Sequence, residues 1–226
     1  MPNTAFTSDG RRQRGDESRR AILRVAVDQA SLSGLDGLTI GGLASELGVS
    51  KSNVATLFGS KLDLQLATIE AARTVFIEKV ISPALARPRG LRRLIGLVEL
   101  WLDYSEGRVF AGGCFFRAVG ADASAKDDAA RELLARIDEE WLAFVTRAVR
   151  EAEPELPGLA SRTNAAEVLA FEIAAMLDAA NMTSLLHRTS RGYSLARSGI
   201  RDRLIALGAP TDIGLTGSSR NLTTEQ

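Results

Sequence analysis

The sequence is poor in most of the side chains that build a reactive site. Its 226 residues include one cysteine, one histidine and two tyrosines. The single cysteine, Cys114, cannot close a disulfide within the chain and fits a reducing cytosol. Its neighbours are apolar apart from Arg117, which suits a buried small hydrophobe better than a redox sensor. One histidine (His187) with one cysteine is too little for a typical zinc site, so neither metal nor cofactor is expected. No Ser/His/Asp order, metal-ligand spacing or phosphate-binding glycine loop is present, and an enzyme is a poor fit. Charge of one sign is missing too, with 28 basic against 28 acidic side chains. An apolar leader is absent from the N-terminus, which points to a cytoplasmic protein. The most apolar long run, Ala165 to Leu186, is interrupted by Glu167, Glu172 and Asp178, as in a buried helix rather than a membrane span. Few tyrosines and scattered β-branched residues argue against sheet. Ala, Leu, Arg and Glu dominate, so the expected class is all-α.

What the chain does contain is a compact pattern from Thr39 to Lys61, TIGGLASELGVSKSNVATLFGSK. It reads as a helix-turn-helix. Ala44 is small where two crossing helices approach, and Gly48 supplies the positive φ of a tight turn. Leu43, Leu47, Val49, Val54, Leu57 and Phe58 form the inward face. Thr39 and Ser50 stand where the two helices need N-caps. Lys51, Ser52, Asn53, Ala55 and Thr56 then point outward, a small polar surface suited to a major groove. An ordinary pair of packed helices is the competing reading. The electrostatic support is thin: Met1 to Lys61 holds eight Lys or Arg against six Asp or Glu, a net of +2. Arg11, Arg12, Arg14, Arg19 and Arg20 nevertheless cluster at the start, and Lys51 and Lys61 flank the second helix of the pattern.

In chain order, residues 1–16 read as a disordered basic tail, 17–61 as the DNA-binding domain, 62–208 as a helical bundle, and 209–226 as a flexible tail. The first helix is expected from Glu17 to Ser33, with Gly34 ending it. A long fourth helix opens at Ser60 and stops before Pro83. Further helical runs cover Leu91 to Glu106, Cys114 to Val119, Lys126 to Glu153, Asn164 to about Ser190, and Tyr193 to Leu207, about nine helices in all. Asp138-Glu139-Glu140 reads as a solvated face, because adjacent helical residues do not converge. Asn221-Leu222-Thr223 has the form of a glycosylation acceptor without a secretory context.

The order of a helix, a Thr-capped helix, a turn and a short helix, followed by Phe58-Gly59-Ser60-Lys61, resembles the DNA-binding domain of TetR-family transcriptional regulators. That likeness covers about residues 18–66. Members usually carry a Tyr and a His where this chain has Ala55 and Leu57, while Lys61 matches a family lysine that meets the DNA backbone. Gly112-Gly113-Cys114-Phe115-Phe116 and Lys61 to Thr68 resemble one branch of the family and extend the likeness over most of the chain. The resemblance implies a C-terminal domain that dimerises and takes a small apolar or amphipathic effector. Candidate cavity residues are Trp101, Tyr104, Phe110, Phe115, Phe116, Trp141, Phe144, Met176 and Asn181, though aromatic residues at helical spacing usually fill a core.

The function expected is a dimeric repressor that reads double-stranded operator DNA and is released by a ligand. Asn53 suits adenine, and Lys51 suits guanine or phosphate. Thr39, Ser50, Ser52, Thr56 and Lys61 would position the backbone. The homodimer would form on the last two long helices, about 164–190 and 193–207, with no membrane partner. The alternative is a dimeric DNA-binding or protein-docking module that does not switch.

Overall fold

The structure is a computed structural model and describes residues 5–120, 128–159 and 163–215. No strand occurs among them, and the chain is all-α as expected. It divides into two compact units. One comprises residues 1–78 and 108–139, the other 79–107 and 140–226.

The first unit is built on α1 (Ala5–Ser33), α2 (Ile40–Leu47), α3 (Lys51–Phe58), α4 (Lys61–Phe76) and α7 (Phe115–Gly120), with the first half of α8 (Asp128–Ala152). Helix α1 starts at Ala5 rather than Glu17. Ala, Arg and Gln around Gly10 favour helix, and no proline interrupts them. Arg11, Arg12 and Arg14 of the expected basic arm have side chains outside the described residues. Ile22, Ala26, Val27 and Ala30 form the buried face of α1, and Gly34 ends it at φ 72°. Against α1 pack α4 and α7, which explains how three short helices with little core of their own are held.

Helical structure does not stop before Pro83. A π-helical turn, Ile77–Ile81, and a last α-turn, α5 (Ser82–Leu85), follow α4 directly in the chain; counted with α4 as one element, they give nine α-helical elements among the described residues. Proline has no N–H to give to the fourth residue back. The wider π-turn and a fresh α-turn with Pro83 in its first positions accommodate that loss.

The second unit holds α5, α6 (Leu91–Glu106), the rest of α8, α9 (Ala165–His187) and α10 (Arg191–Ala206). The break around Pro154 and Pro157 becomes two 3₁₀ turns, and Glu155 Oε1 accepts from Leu91 N–H at 2.7 Å, supplying the cap that α6 lacks. Helices α9 and α10 pack closely because Gly192 and Gly199 face α9; a Cβ on Gly192 would lie 2.8 Å from the Ala180 oxygen. Between α6, α9 and α10 runs a buried polar chain. Ser105 Oγ donates to Asn181 Oδ1 at 2.8 Å, and Tyr193 Oη lies 2.9 Å from Ser105 Oγ and 3.0 Å from Ser184 Oγ. Arg197, also buried, forks from α10 to Asp103 and Glu106 on α6 at 3.0 and 2.9 Å. After α10 the chain stays attached: Ile213 and Leu215 are buried, and Leu215 N–H donates to Glu99 Oε1 at 2.9 Å. The stretch read as a tail from 209 therefore has two apolar anchors, while 216–226 and the Asn221 acceptor lie outside the described residues.

Helix α9 is long and apolar enough by composition to cross a bilayer. One side is a core face, with Leu169, Ile173 and Leu177 buried. The other is apolar and exposed: Val168, Phe171, Ala175, Ala179, Met182 and Leu186 follow one another at three- and four-residue steps.

Candidate nucleic-acid interface

Both short helices of the motif are capped by the residues the sequence marks for it. Thr39 Oγ1 accepts from Gly42 N–H at 2.9 Å, and Ser50 Oγ accepts from Asn53 N–H at 3.1 Å. Gly48 takes φ 64°, and its N–H reaches back to the Ser45 oxygen at 3.3 Å. Leu43, Ala44, Val54 and Phe58 are buried between the helices. Two members of the expected inward face, Leu47 and Leu57, are only half-buried, and Val49 is exposed at 36%. Val49 sits in the turn just past Gly48, beyond the crossing point where side chains are covered.

The outer face of α3 is sparsely furnished. Ser52 Oγ lies 3.0 Å from Ser50 Oγ, and Thr56 Oγ1 donates back to the Ser52 oxygen at 2.8 Å. Ala55 is half-buried. Lys61 Nζ, at the start of α4, donates to the Asp36 oxygen at 2.8 Å across the α1–α2 connection. Lys51 and Asn53 are exposed on the first turn of α3, and neither side chain has a hydrogen-bond partner among the described residues. Of the eight candidates, these two keep their full donor and acceptor capacity for an outside partner.

Sequence reasoning missed Arg19. From α1 it donates through Nη1 to the Leu57 oxygen at 2.8 Å, and its guanidinium lies 4.5 Å from the centroid of the Phe58 ring. It thus holds the last turn of α3, where the last carbonyls have no intrahelical donor. The only signal available was Arg19's place in the basic cluster, which did not specify its partner. A second missed contact explains Gly112. Its N–H donates to Ser31 Oγ at 2.9 Å, and a Cβ there would lie 1.9 Å from the Ser31 oxygen. Ala111 N–H adds a bond to Asp28 Oδ1 at 3.3 Å, so the loop before Cys114 is pinned to α1. Cys114 itself is buried, 2% exposed.

The nine candidate cavity residues are not gathered in one place. Phe110, Phe115 and Phe116 belong to the first unit, where their rings pack edge to face at 5.4–6.0 Å and Phe76 joins Phe116 at 5.7 Å. Trp101, Tyr104, Phe144 and Asn181 are buried in the second unit, and Trp141 and Met176 there are half-buried. Phe110 borders a groove in the first unit walled by α1, α4 and α8. His187, the last residue of α9, is exposed. Among the described residues no cluster of His, Cys, Asp and Glu could hold a metal ion.

Comparison with known proteins follows the same architecture. The family described as "Tetracyclin repressor-like, C-terminal domain" matches residues 90–200. No curated protein matches the chain. Among solved structures, a TetR transcriptional regulator from Chloroflexus aurantiacus J-10-FL superposes with a TM-score of 0.73 at 20% identity, covering 83% of this chain and 94% of that one. A transcriptional regulator from Saccharomonospora viridis in complex with choline gives 0.70 at 22% identity, with 84% and 96% covered. AibR, in complex with isovaleryl coenzyme A and operator DNA, gives 0.58 at 18% identity, with 71% and 83% covered. A capped helix-turn-helix on the N-terminal side, the all-α fold shared with these regulators and the family match over 90–200 converge on one likeness: residues 90–200 match the C-terminal domain of tetracycline-repressor-like proteins, and the chain has the fold of TetR-family regulators.

Proposed function

We propose that the chain is a homodimeric, effector-responsive repressor acting on operator DNA in the cytoplasm. In this reading residues 17–61 are the DNA-reading part, and the helical remainder to about 208 carries dimerisation and effector response. The observation that carries it is the exposed first turn of α3, where Lys51 and Asn53 stand uncommitted between two capped ends. Asn53 can form a bidentate pair with adenine, and Lys51 can meet guanine or a phosphate. Thr39, Ser50, Ser52, Thr56 and Lys61 border that turn and serve the DNA backbone, with Ala55 close enough for apolar contact. AibR, which shares the fold, has been captured with a ligand and operator DNA together, and this supports an effector-responsive reading here.

The apolar stripe of α9 supports dimerisation through α9 and α10. Its residues run from Val168 to Leu186, roughly 27 Å of helix at 1.5 Å per residue, with Phe171 65% and Leu186 72% exposed. Leu195 on α10 adds to it at 59%. Such a surface marks an interaction site, and a second copy of the same stripe is self-complementary about a two-fold axis. The dimer would then present two α3 helices to half-sites one helical turn, roughly 34–36 Å, or more apart. An effector works by binding one of the two dimer states more tightly than the other.

A salt-titrated fluorescence anisotropy assay tests this reading. A steep fall in affinity with salt, together with a large ratio of specific to nonspecific binding, is the expected result. A salt slope without specificity would favour a DNA-shaping dimer, and absence of DNA binding would overturn the proposal.

A further inference from the structure

One feature of the first unit has no part in operator reading or in dimerisation. It is a groove of about 1170 Å³ between α1, α4 and the beginning of α8, somewhat above the roughly 300–1,000 Å³ common for small-ligand sites. Its apolar surface comes from Leu23 and Val27 of α1, Leu66 and Ala71 of α4, and Phe110 and Leu133.

The charges around this surface are unequally committed. Three of the four bordering carboxylates have protein partners: Asp28 accepts from Ala111 N–H, Asp63 from Ser60 Oγ at 2.6 Å, and Glu70 pairs with Arg73 at 3.6 Å. Two of the four arginines are likewise engaged. Arg19 holds Leu57 and Phe58, and Arg20 donates to the Asp16 oxygen at 3.3 Å. Arg24 on α1, Arg136 on α8 and Glu132 have no hydrogen-bond or ion-pair partner among the described residues. Formal charge around the groove balances, four guanidiniums against four carboxylates, but the side chains left without a partner are two guanidiniums and one carboxylate, beside an apolar floor.

We propose that this groove binds an amphipathic organic anion. Its aliphatic or aromatic body lies on the apolar floor, and its carboxylate or sulfonate meets Arg24 and Arg136. A guanidinium is the side chain best suited to such a group, since its planar donors match both oxygens. The groove also borders Arg19, whose other contacts hold the last turn of α3, so a ligand that draws Arg19 into the groove loosens the reading helix. This assignment of an effector class rests on the reading of the chain as an effector-responsive DNA-binding protein.

The test is calorimetric titration of the purified full chain, without DNA, using dodecanoate, the neutral 1-monolaurin and the cationic dodecyltrimethylammonium, all below their aggregation concentrations. The expected result is one dodecanoate per chain, bound at least tenfold more tightly than the cation. Arg24→Gln combined with Arg136→Gln should weaken dodecanoate tenfold or more and leave monolaurin unchanged. Ala71→Trp should abolish binding of both by filling the groove, and Ala67→Phe serves the same purpose if the first variant is not folded by circular dichroism. No binding of dodecanoate by the wild type, or equal binding by the double arginine variant, overturns the proposal. With operator DNA present, dodecanoate should lower wild-type affinity at least fivefold, within the usual range of allosteric coupling, and leave that of Arg19→Gln unchanged. An equal effect on both proteins overturns the role of Arg19. Failure of the DNA-free titration refutes the groove alone; failure to bind any operator, with the titration intact, refutes the functional reading instead.

Discussion

Replacing Gly112 with alanine should be among the most damaging small substitutions in the first unit. The added Cβ would stand 1.9 Å from the Ser31 oxygen and 2.6 Å from the Ser31 carbonyl carbon, so it meets main chain rather than a movable side chain. Relief requires the loop to leave α1, which breaks the 2.9 Å bond from Gly112 N–H to Ser31 Oγ and strains the 3.3 Å bond from Ala111 N–H to Asp28. Overpacking of this kind costs about 1–3 kcal/mol, and a lost hydrogen bond adds about 1 kcal/mol. Together they give about 2–4 kcal/mol, a fall in Tm of roughly 5–15 °C for a chain of this length. Thermal unfolding followed by circular dichroism at 222 nm measures it. Gly120→Ala is the control: nothing lies within 4 Å of a Cβ there, so its Tm should stay within about 2 °C of wild type. A Gly112→Ala protein melting with wild type would refute the close approach of this loop to α1. The loss also bears on function, because α1 is the helix that holds α3 through Arg19.

Four further outcomes are expected. Phe171→Glu places a charge in the exposed stripe of α9 and should convert dimer to monomer by sedimentation velocity; an unchanged dimer would move the interface elsewhere. Asn53→Ala should change base preference at one or two positions by about 1–3 kcal/mol. Lys61→Ala should weaken all sequences alike and reduce the salt slope by about one, both read by competitive anisotropy. Tyr193→Phe removes the hydroxyl shared by Ser105 and Ser184 and should cost about 0.5–1.5 kcal/mol in urea unfolding, since both serines keep a hydrogen bond to Asn181.

Local chemistry made the helix-turn-helix legible. Thr39, Gly48 and Ser50 act on backbone groups within a few residues, so their spacing alone placed both helices and the turn. Contacts over longer separations left weaker marks. Gly112-Gly113 reads as punctuation, but its partner Ser31 is 81 positions away, and nothing near Gly112 names it. Arg19 reads as one of a basic cluster, and only the fold shows that it spans 38 positions to Leu57. Pro83 reads as a helix stop because the sequence carries no sign of the π-turn that takes up its missing donor. The aromatic cavity candidates were the least legible. Helical spacing of apolar residues reports that a face is buried, and burial serves a filled core and a ligand cavity equally well. Phe115 and Phe116 illustrate the first case, since each ring is packed against another. The α9 stripe shows the reverse, where an apolar composition continues onto a face the single chain leaves open.

The central claim is that α3 reads a specific operator as part of a two-fold dimer. Selection of bound fragments from genomic DNA by the purified protein tests it most directly. The expected result is a small set of fragments sharing an inverted repeat, with half-site centres one helical turn or more apart, and loss of that selectivity in the Lys51→Ala, Asn53→Ala double variant. Recovery of fragments without a shared repeat, or an unchanged repeat with the double variant, would contradict it.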